Sequence, residues 1–319
     1  MTFEKEQEIV ISPWVILSFA SVAVLLVAAI ALLAVSYVLA QRMLRPMRTA
    51  LKSTPADYGL VAEEVRIPGP RGTLAAWYIP SRNGSTLICC HGIHDNRGQW
   101  VEQVARLHER SGYGGLLFDF AGHGESDPSF VTYGAREIED VNAVVEYLRR
   151  RGDVDMERVG IMGYSLGSIA ATLAMAEQPD LRCLVIESGF ADVERDLVKL
   201  FSRFTGLPGF PLANLVVFWG EKITRVRLSQ IRPVRVIHRI SPRAVFIIAD
   251  RLDQVADEPH DGEALYAGAL PPKHYWLVED AGHVYGFIEH PVEWIERVGA
   301  FLDEYLAAGD HSRSSLQVS

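Results

Sequence analysis

Val159-Gly160-Ile161-Met162-Gly163-Tyr164-Ser165-Leu166-Gly167-Ser168 is the stretch on which the reading of this chain turns. An apolar run of strand length leads into Gly163-Tyr164-Ser165-Leu166-Gly167, and an alanine-rich segment from Ser168 to Glu177 follows with helical character. The spacing G-x-S-x-G has a steric logic. Where a strand turns abruptly into a helix, side chains at the two glycine positions would collide, and a serine held in that turn projects its oxygen above the sheet. The start of the helix adds the positive end of its dipole near that oxygen. An ordinary strand–helix turn that happens to contain serine is the plainer reading. The strand before and the helix after are what favour a nucleophile.

Outward from this turn, strand and helix signals alternate. Glu64 to Pro80 holds two alternating stretches around Pro-Gly-Pro-Arg-Gly, a hairpin signal. Thr86 to Cys90 is an apolar run ending in His91-Gly92, Trp100 to Arg110 has helical spacing, and Gly115 to Phe120 reads as a buried strand. Ile138, Val141, Val144, Val145 and Leu148 form the stripe of a helix over Glu137 to Arg150. Leu184 to Glu187, Val245 to Ala249 and Tyr275 to Val278 continue the strands, and Val292 to Tyr305 closes the series as an amphipathic helix. Such alternation implies an α/β fold with a mainly parallel sheet covered on both faces, whose chemistry collects at the carboxyl ends of the strands.

A serine hydroxyl is a weak nucleophile and needs a base. His283, in Asp280-Ala281-Gly282-His283 just past the last strand, is the favoured one. His91 and His123 sit in glycine-flanked turns, where a ring holds a loop by hydrogen bonds, and His290 before Pro291 reads as a surface residue. His94 and His260 are further competitors. The imidazole in turn needs a carboxylate to fix its tautomer. Asp253, in the loop beyond Ala249, has room to reach it; Asp250 is nearer the strand and suits a turn cap, while Asp257, Glu187 and Asp192 stay open as alternatives. The order Ser165, Asp253, His283 is the one expected after such a turn. The oxyanion of acyl transfer needs fixed N–H donors, for which the backbone amides of Leu166 and Ile93 are the candidates.

Together these residues resemble the α/β-hydrolase superfamily over roughly residues 60 to 308. His91-Gly92-Ile93-His94-Asp95-Asn96 looks like its oxyanion loop, and Asp119-Phe120-Ala121-Gly122-His123-Gly124-Glu125-Ser126 like its D-x-x-G-H-G-x-S turn. Ala249 to Asp257 resembles its acid loop, with Asp250 and Asp257 where a glycine and a proline are usual. Ser165 excludes the relatives that use a nucleophilic aspartate. The chain looks most like the serine-aminopeptidase-like and lysophospholipase-like group. The resemblance implies an α/β-hydrolase fold with a small cap, and a serine mechanism without metal or organic cofactor.

Ile9 to Ala40 contains no Asp, Glu, Lys or Arg, and the apolar stretch Trp14 to Leu39 exceeds the roughly 20 residues needed to cross a bilayer. A cleaved signal peptide wants a basic start and an apolar core of about 7–15 residues, whereas this start, MTFEKEQE, is acidic on balance. Trp14 and Tyr37 suit interfacial anchoring. Arg42, Arg45, Arg48 and Lys52 follow the stretch against Lys5 alone before it, which predicts a single-pass protein with its large domain on the cytoplasmic side. The organisation expected is an N-terminal segment (1–12), a transmembrane helix (13–40), a juxtamembrane linker (41–59), a catalytic domain (60–308) with a cap (190–240), and a polar tail (309–319).

In that cap the strand–helix rhythm breaks. Phe201, Phe204, Leu207, Phe210, Leu212, Leu215, Val216, Val217, Phe218 and Trp219 are candidates to line an acyl-binding cleft, with plain packing of the cap as the duller reading. Lys222, Arg225, Arg227, Arg232, Arg235, Arg239 and Arg243 follow with no acid among them, either a solvated basic face or a patch for anionic headgroups. A net charge of -9 over 319 residues argues against a nucleic-acid partner. Cys89, Cys90 and Cys183 lie in apolar runs, so neither a disulfide framework nor a zinc site is indicated. The expected activity is hydrolysis of an ester, thioester or amide of a small or lipid-like acyl substrate. An N-terminal-trimming peptidase and a silent binding module held at the membrane are the alternatives.

Overall fold

The computed structural model of the protein describes residues 12–207, 209–257 and 259–307. The start of the chain with Lys5, the side chain of Phe204 and the polar tail lie outside the described residues. Eight strands form one sheet in the order β1-β2-β4-β3-β5-β6-β7-β8. They are β1 (Glu63–Gly69), β2 (Gly72–Ile79), β3 (Thr86–Cys90), β4 (Gly114–Phe118), β5 (Val159–Tyr164), β6 (Leu181–Glu187), β7 (Ala244–Asp250) and β8 (Lys273–Val278). The hairpin β1–β2 and the β2–β4 pair are antiparallel, and every other pairing is parallel. The expected α/β architecture is therefore present, with the Pro68 to Gly72 turn closing the edge hairpin.

Helices cover both faces because each presents one apolar stripe. On one face α3 (Glu137–Arg150) and α4 (Leu166–Glu177) pack Val141, Val144, Ala170 and Ala174 against Ile88, Leu116 and Ile161, with Leu265 of α7 (His260–Gly268) beside them. On the other, α2 (Val101–Ser111) and α9 (Pro291–Leu302) pack Val104, Leu107, Trp294 and Val298 against Leu87, Leu117 and Met162. A single turn, α8 (Gly286–Glu289), precedes α9. All three cysteines are buried thiols in the sheet.

The chain leaves β3 for β4 on one side of it, while β5 lies on the other. This is a topological switch point, where the strand ends leave a crevice. Two glycines let α4 start directly behind it. A Cβ on Gly167 would stand 2.1 Å from the carbonyl oxygen of Cys90, and one on Gly163 would stand 2.4 Å from that of Gly167. Only bare backbone fits between β3, β5 and the first turn of α4.

Helix α1 (Pro13–Met43) has 31 residues and a mean hydropathy of 2.9 in its most apolar window, so it is long and apolar enough to span a membrane. At 1.5 Å per residue it is about 46 Å long, well beyond a hydrocarbon core of about 30 Å. Its side chains are exposed up to Val35, apart from the half-buried Leu32; from Ser36 they pack against the protein. Ser36 accepts a hydrogen bond from Trp219 Nε1 (3.1 Å), Tyr37 meets the same indole edge-on, and Leu39, Ala40 and Met43 pack with Phe201, Leu212, Ala213 and Val216.

This docking corrects one expectation from the sequence. Between β6 and β7 lie α5 (Val193–Thr205), α6 (Asn214–Thr224) and short 3-10 turns in place of strands. The apolar residues of α6 cover the end of α1, and Phe210 is 80% exposed. Of the ten residues expected at the acyl cleft, none of the nine whose side chains are described lines the cleft at Ser165. Apolar residues on a helix identify a buried stripe, but they do not say which neighbour buries it.

Candidate active site

Ser165 sits at the junction of β5 and α4 with φ 52° and ψ −113°. A non-glycine residue pays for that conformation, and the turn holds it by close backbone packing and by the Ser165 N–H donating to the Glu187 carbonyl (3.1 Å). Its hydroxyl lies 2.8 Å from His283 Nε2, and His283 Nδ1 lies 2.6 Å from Asp253 Oδ2. Asp253 is itself oriented, since its Oδ1 accepts from the amides of Val255 (2.6 Å) and Ala256 (3.1 Å). The structure thus brings together the three side chains singled out in sequence.

The two residues expected to supply oxyanion donors lie at the same cleft. Ile93 and Leu166 line the same cleft as Ser165 and His283, and among the described residues neither amide has a hydrogen-bond acceptor. Gly92 is drawn close, its absent Cβ 3.6 Å from that of Ser165. Gln99 Oε1 accepts the Gly92 N–H (2.8 Å), a role no motif announced.

The competing histidines have structural places. His91 is fully buried, and burial lowers its pKa to about 4. The neutral ring places Nδ1 2.7 Å from the Gly92 carbonyl, while its Nε2 accepts the Phe120 N–H (3.0 Å), so it ties the oxyanion loop to the turn after β4. His123, held neutral by burial with a pKa of about 3, packs edge-on against His91 and Phe120. His94 Nδ1 accepts the Met47 N–H (3.0 Å), and His290, partly exposed, pairs with Asp280.

Of the other acids, Asp257 pairs with Lys199, and Asp192 caps α5 and pairs with Arg232. Glu187 and Asp250 are different. They lie buried beneath the loop that carries His283 and hold its backbone. Asp250 Oδ2 accepts from Ser188 Oγ (2.7 Å) and from the Val284 N–H (3.1 Å). Glu187 accepts from the Gly286 N–H (2.9 Å) and from Trp294 Nε1 (2.8 Å). A Cβ on Gly286 would stand 3.0 and 3.2 Å from the two carboxyls, a tight fit that a larger residue could take only by shifting them. Burial pushes Glu187 well above the usual carboxyl range and Asp250 up to about 6.

That shift carries a pH dependence. An unfolded aspartate holds its proton only below about pH 4, whereas Asp250 in the fold holds it up to about 6. The neutral carboxyl therefore contributes stability in full below about pH 4, and the contribution is lost as pH rises through 6. Asp250→Asn removes this titration. Its stability relative to the parent should rise by roughly 1–3 kcal/mol between about pH 4.5 and about pH 7.5. Denaturant unfolding of both proteins in detergent at the two pH values checks this; parallel losses would refute it.

The cleft above Ser165 has a volume of about 660 Å³ and is mostly apolar, within the usual size range for small-molecule sites. Ile169, Phe190, Val193, Leu197 and Leu200 form one side. Arg42, Met43 and Met47 contribute another, although they belong to α1 and the segment after it. That segment has no regular element before Pro55, yet it is fastened down. Asn96 Nδ2 donates to the Thr49 and Ala50 carbonyls (3.1 and 3.2 Å), and Tyr133 OH donates to the Met43 carbonyl (3.2 Å). Four of the six described non-glycine residues with positive φ, His94, Tyr133, Ser165 and Val284, line this cleft, and Ser188 stands behind it.

Comparison with known proteins places this arrangement. The model of the alpha/beta hydrolase family matches residues 87–298. Two crystal forms of the Pyrococcus furiosus esterase Pf2001 superpose with TM-scores of 0.69 and 0.70 at 25% and 26% identity, covering 82% and 83% of this chain and 99% and 98% of the esterase. Among curated relatives, the "uncharacterized protein YfhR" of Escherichia coli O157:H7 is 26% identical over 235 residues, spanning 71% of this chain and 75% of YfhR. The "uncharacterized protein YqkD" of Bacillus subtilis (strain 168) is 26% identical over 226 residues, 70% of this chain and 73% of that one. With its sheet order, its elbow serine and an esterase among its structural neighbours, this chain belongs to the alpha/beta hydrolase family.

Proposed function

We propose that the protein is a membrane-anchored serine hydrolase that cleaves an acyl ester, or a related thioester or amide, through an acyl-enzyme. The observation that carries this reading is the continuous chain Ser165 Oγ, His283 Nε2, His283 Nδ1, Asp253 Oδ2, with contacts of 2.8 and 2.6 Å, at the floor of an apolar cleft. Ser165 attacks the carbonyl carbon as its proton passes to His283 Nε2. The imidazolium is stabilised by Asp253 and then protonates the leaving group. The Ile93 and Leu166 amides hold the oxyanion. Water, deprotonated by the same ring, releases the acid and restores the serine. A fluorophosphonate probe should become bound to Ser165, as read by peptide mass spectrometry; an unlabelled serine in folded protein would sink the reading in favour of a silent binding module. The esterase neighbours favour an ester over trimming of peptide N-termini, as does the apolar lining. The likeness to the lysophospholipase-like group points the same way.

Helix α1 serves as the anchor in this proposal, with the catalytic domain on the cytoplasmic side because Arg42, Arg45, Arg48 and Lys52 flank that end. Cysteines placed at exposed Arg150 in intact spheroplasts should resist a membrane-impermeant maleimide until the membrane is opened; labelling of closed cells would reverse the topology. Of the basic cap residues, Arg232 pairs with Asp192 and Arg243 binds the Gln178 and Leu181 carbonyls. Lys222, Arg225, Arg227, Arg235 and Arg239 have no ion-pair partner among the described residues, so they are the ones free to meet anionic headgroups.

A further inference from the structure

We propose that the end of α1 is part of the substrate site: Met43 and Met47 wall the acyl side of the cleft, and the enzyme takes acyl chains already partitioned into the bilayer. The proposal rests on the hydrolase reading above. Three observations lead to it.

First, Arg42, Met43 and Met47 line the same cleft as Ser165 and His283, together with Val193, Leu197 and Leu200 of α5. Arg42, Met43 and Met47 lie outside residues 87–298, the region matched by the family model. Second, α1 is not loosely tethered. Ser36 and Tyr37 bind Trp219, Ala40 is buried against α6, and the Leu44 carbonyl and Met43 carbonyl accept from Val131 N (2.9 Å) and Tyr133 OH (3.2 Å). A spanning helix fixed in this way sets the cleft at the membrane surface. The exposed part of the helix, Pro13 to Val35, runs about 33 Å, enough to cross a core of about 30 Å, and Met43 lies only about 12 Å further along it. Third, a small apolar void of about 40 Å³ lies beside the cleft and shares Met43, Tyr133 and Leu197 with it. It is lined by Ala40 and Leu44 of the anchor region and by Phe201 and Val216 of the cap. Apolar lining therefore continues from the serine towards the helix that enters the bilayer. A single medium or long acyl chain, its ester bond at Ser165 and its tail along Met43, fits this chemistry; a compact polar ester would leave the wall unused.

Full-length protein in phosphatidylcholine vesicles, assayed on acetyl and decanoyl 4-methylumbelliferyl esters, tests the proposal. Met43→Trp fills the wall and should lower the ratio of decanoyl to acetyl kcat/KM at least ten-fold. Phe19→Trp, on the lipid-exposed part of α1, should leave that ratio as in the parent. An unchanged ratio in Met43→Trp, or equal losses on both esters, overturns the proposal. Failure of the parent on both esters would instead strike the hydrolase reading. Should Met43→Trp not fold, the parent itself decides: a fluorophosphonate with a long alkyl tail ending in a diazirine, bound at Ser165 and photolysed, should crosslink to residues 42–47. Crosslinks confined to other segments would overturn the proposal.

Discussion

Ser165→Ala should lower kcat/KM for any accepted ester by about 10⁴- to 10⁶-fold, a loss typical for removal of a serine that acts as a unit with its base. The expected size follows from what remains. The oxyanion amides and the apolar cleft survive the substitution, so binding persists while attack must fall to water. The turn should tolerate alanine sterically, since Ser165 already carries a Cβ in its left-handed conformation, and relief of the buried hydroxyl costs only its bond to His283. Thermal unfolding should therefore stay close to the parent while fluorophosphonate labelling disappears. Steady-state kinetics and probe labelling of the two proteins check this. A loss under ten-fold with intact folding would mean that another group attacks.

How much of this was readable beforehand differs between local and distant relations. The elbow, the hairpin and the helix over Glu137 to Arg150 were legible because periodicity and glycine placement act within a few residues. Ser165, Asp253 and His283 were legible because each follows a strand, and parallel strands deliver their ends to one rim. The roles of Glu187 and Asp250 were not, because nothing local distinguishes a buried acid that holds a backbone from one that holds an imidazole. Each follows or ends a strand as a catalytic acid would; only the contacts with Val284, Gly286 and Trp294 give it a different task. Gln99 gave no signal at all. The cap was misread for a related reason. The apolar run of α6 was visible, yet its partner is α1, more than 170 residues earlier in the chain; the cap's share of the cleft comes instead from Phe190, Val193, Leu197 and Leu200, and Met43 and Met47 add to it. The charge-free apolar run in the first forty residues marked a helix long enough to span a membrane, and sequence offered no reason to expect that its end would line the cleft.

The choice of acid is the point where sequence left most open, and Asp253→Asn should decide it, with a loss in kcat of about 10³- to 10⁴-fold. Asp253 Oδ2 lies 2.6 Å from His283 Nδ1, so the carboxylate fixes the proton on Nδ1 and leaves Nε2 as the base facing Ser165. An asparagine can turn its amide towards Nδ1. The ring then carries its proton on Nε2, and the base is lost while the geometry is kept. Asp250→Asn provides the contrast. Its carboxyl contacts the Val284 amide and Ser188 but no ring nitrogen, so the substitution can disturb the loop only by changing how that amide is held. Its loss should stay below about a hundred-fold, because the catalytic tautomer is untouched and only positioning is weakened. Parallel measurement of kcat for both variants, with labelling rates of Ser165 by the fluorophosphonate, separates the two acids. Were Asp250→Asn the more damaging of the pair, proton placement on His283 would have to be assigned to the buried acids beneath its loop, and the hydrogen bond from Asp253 would be structural.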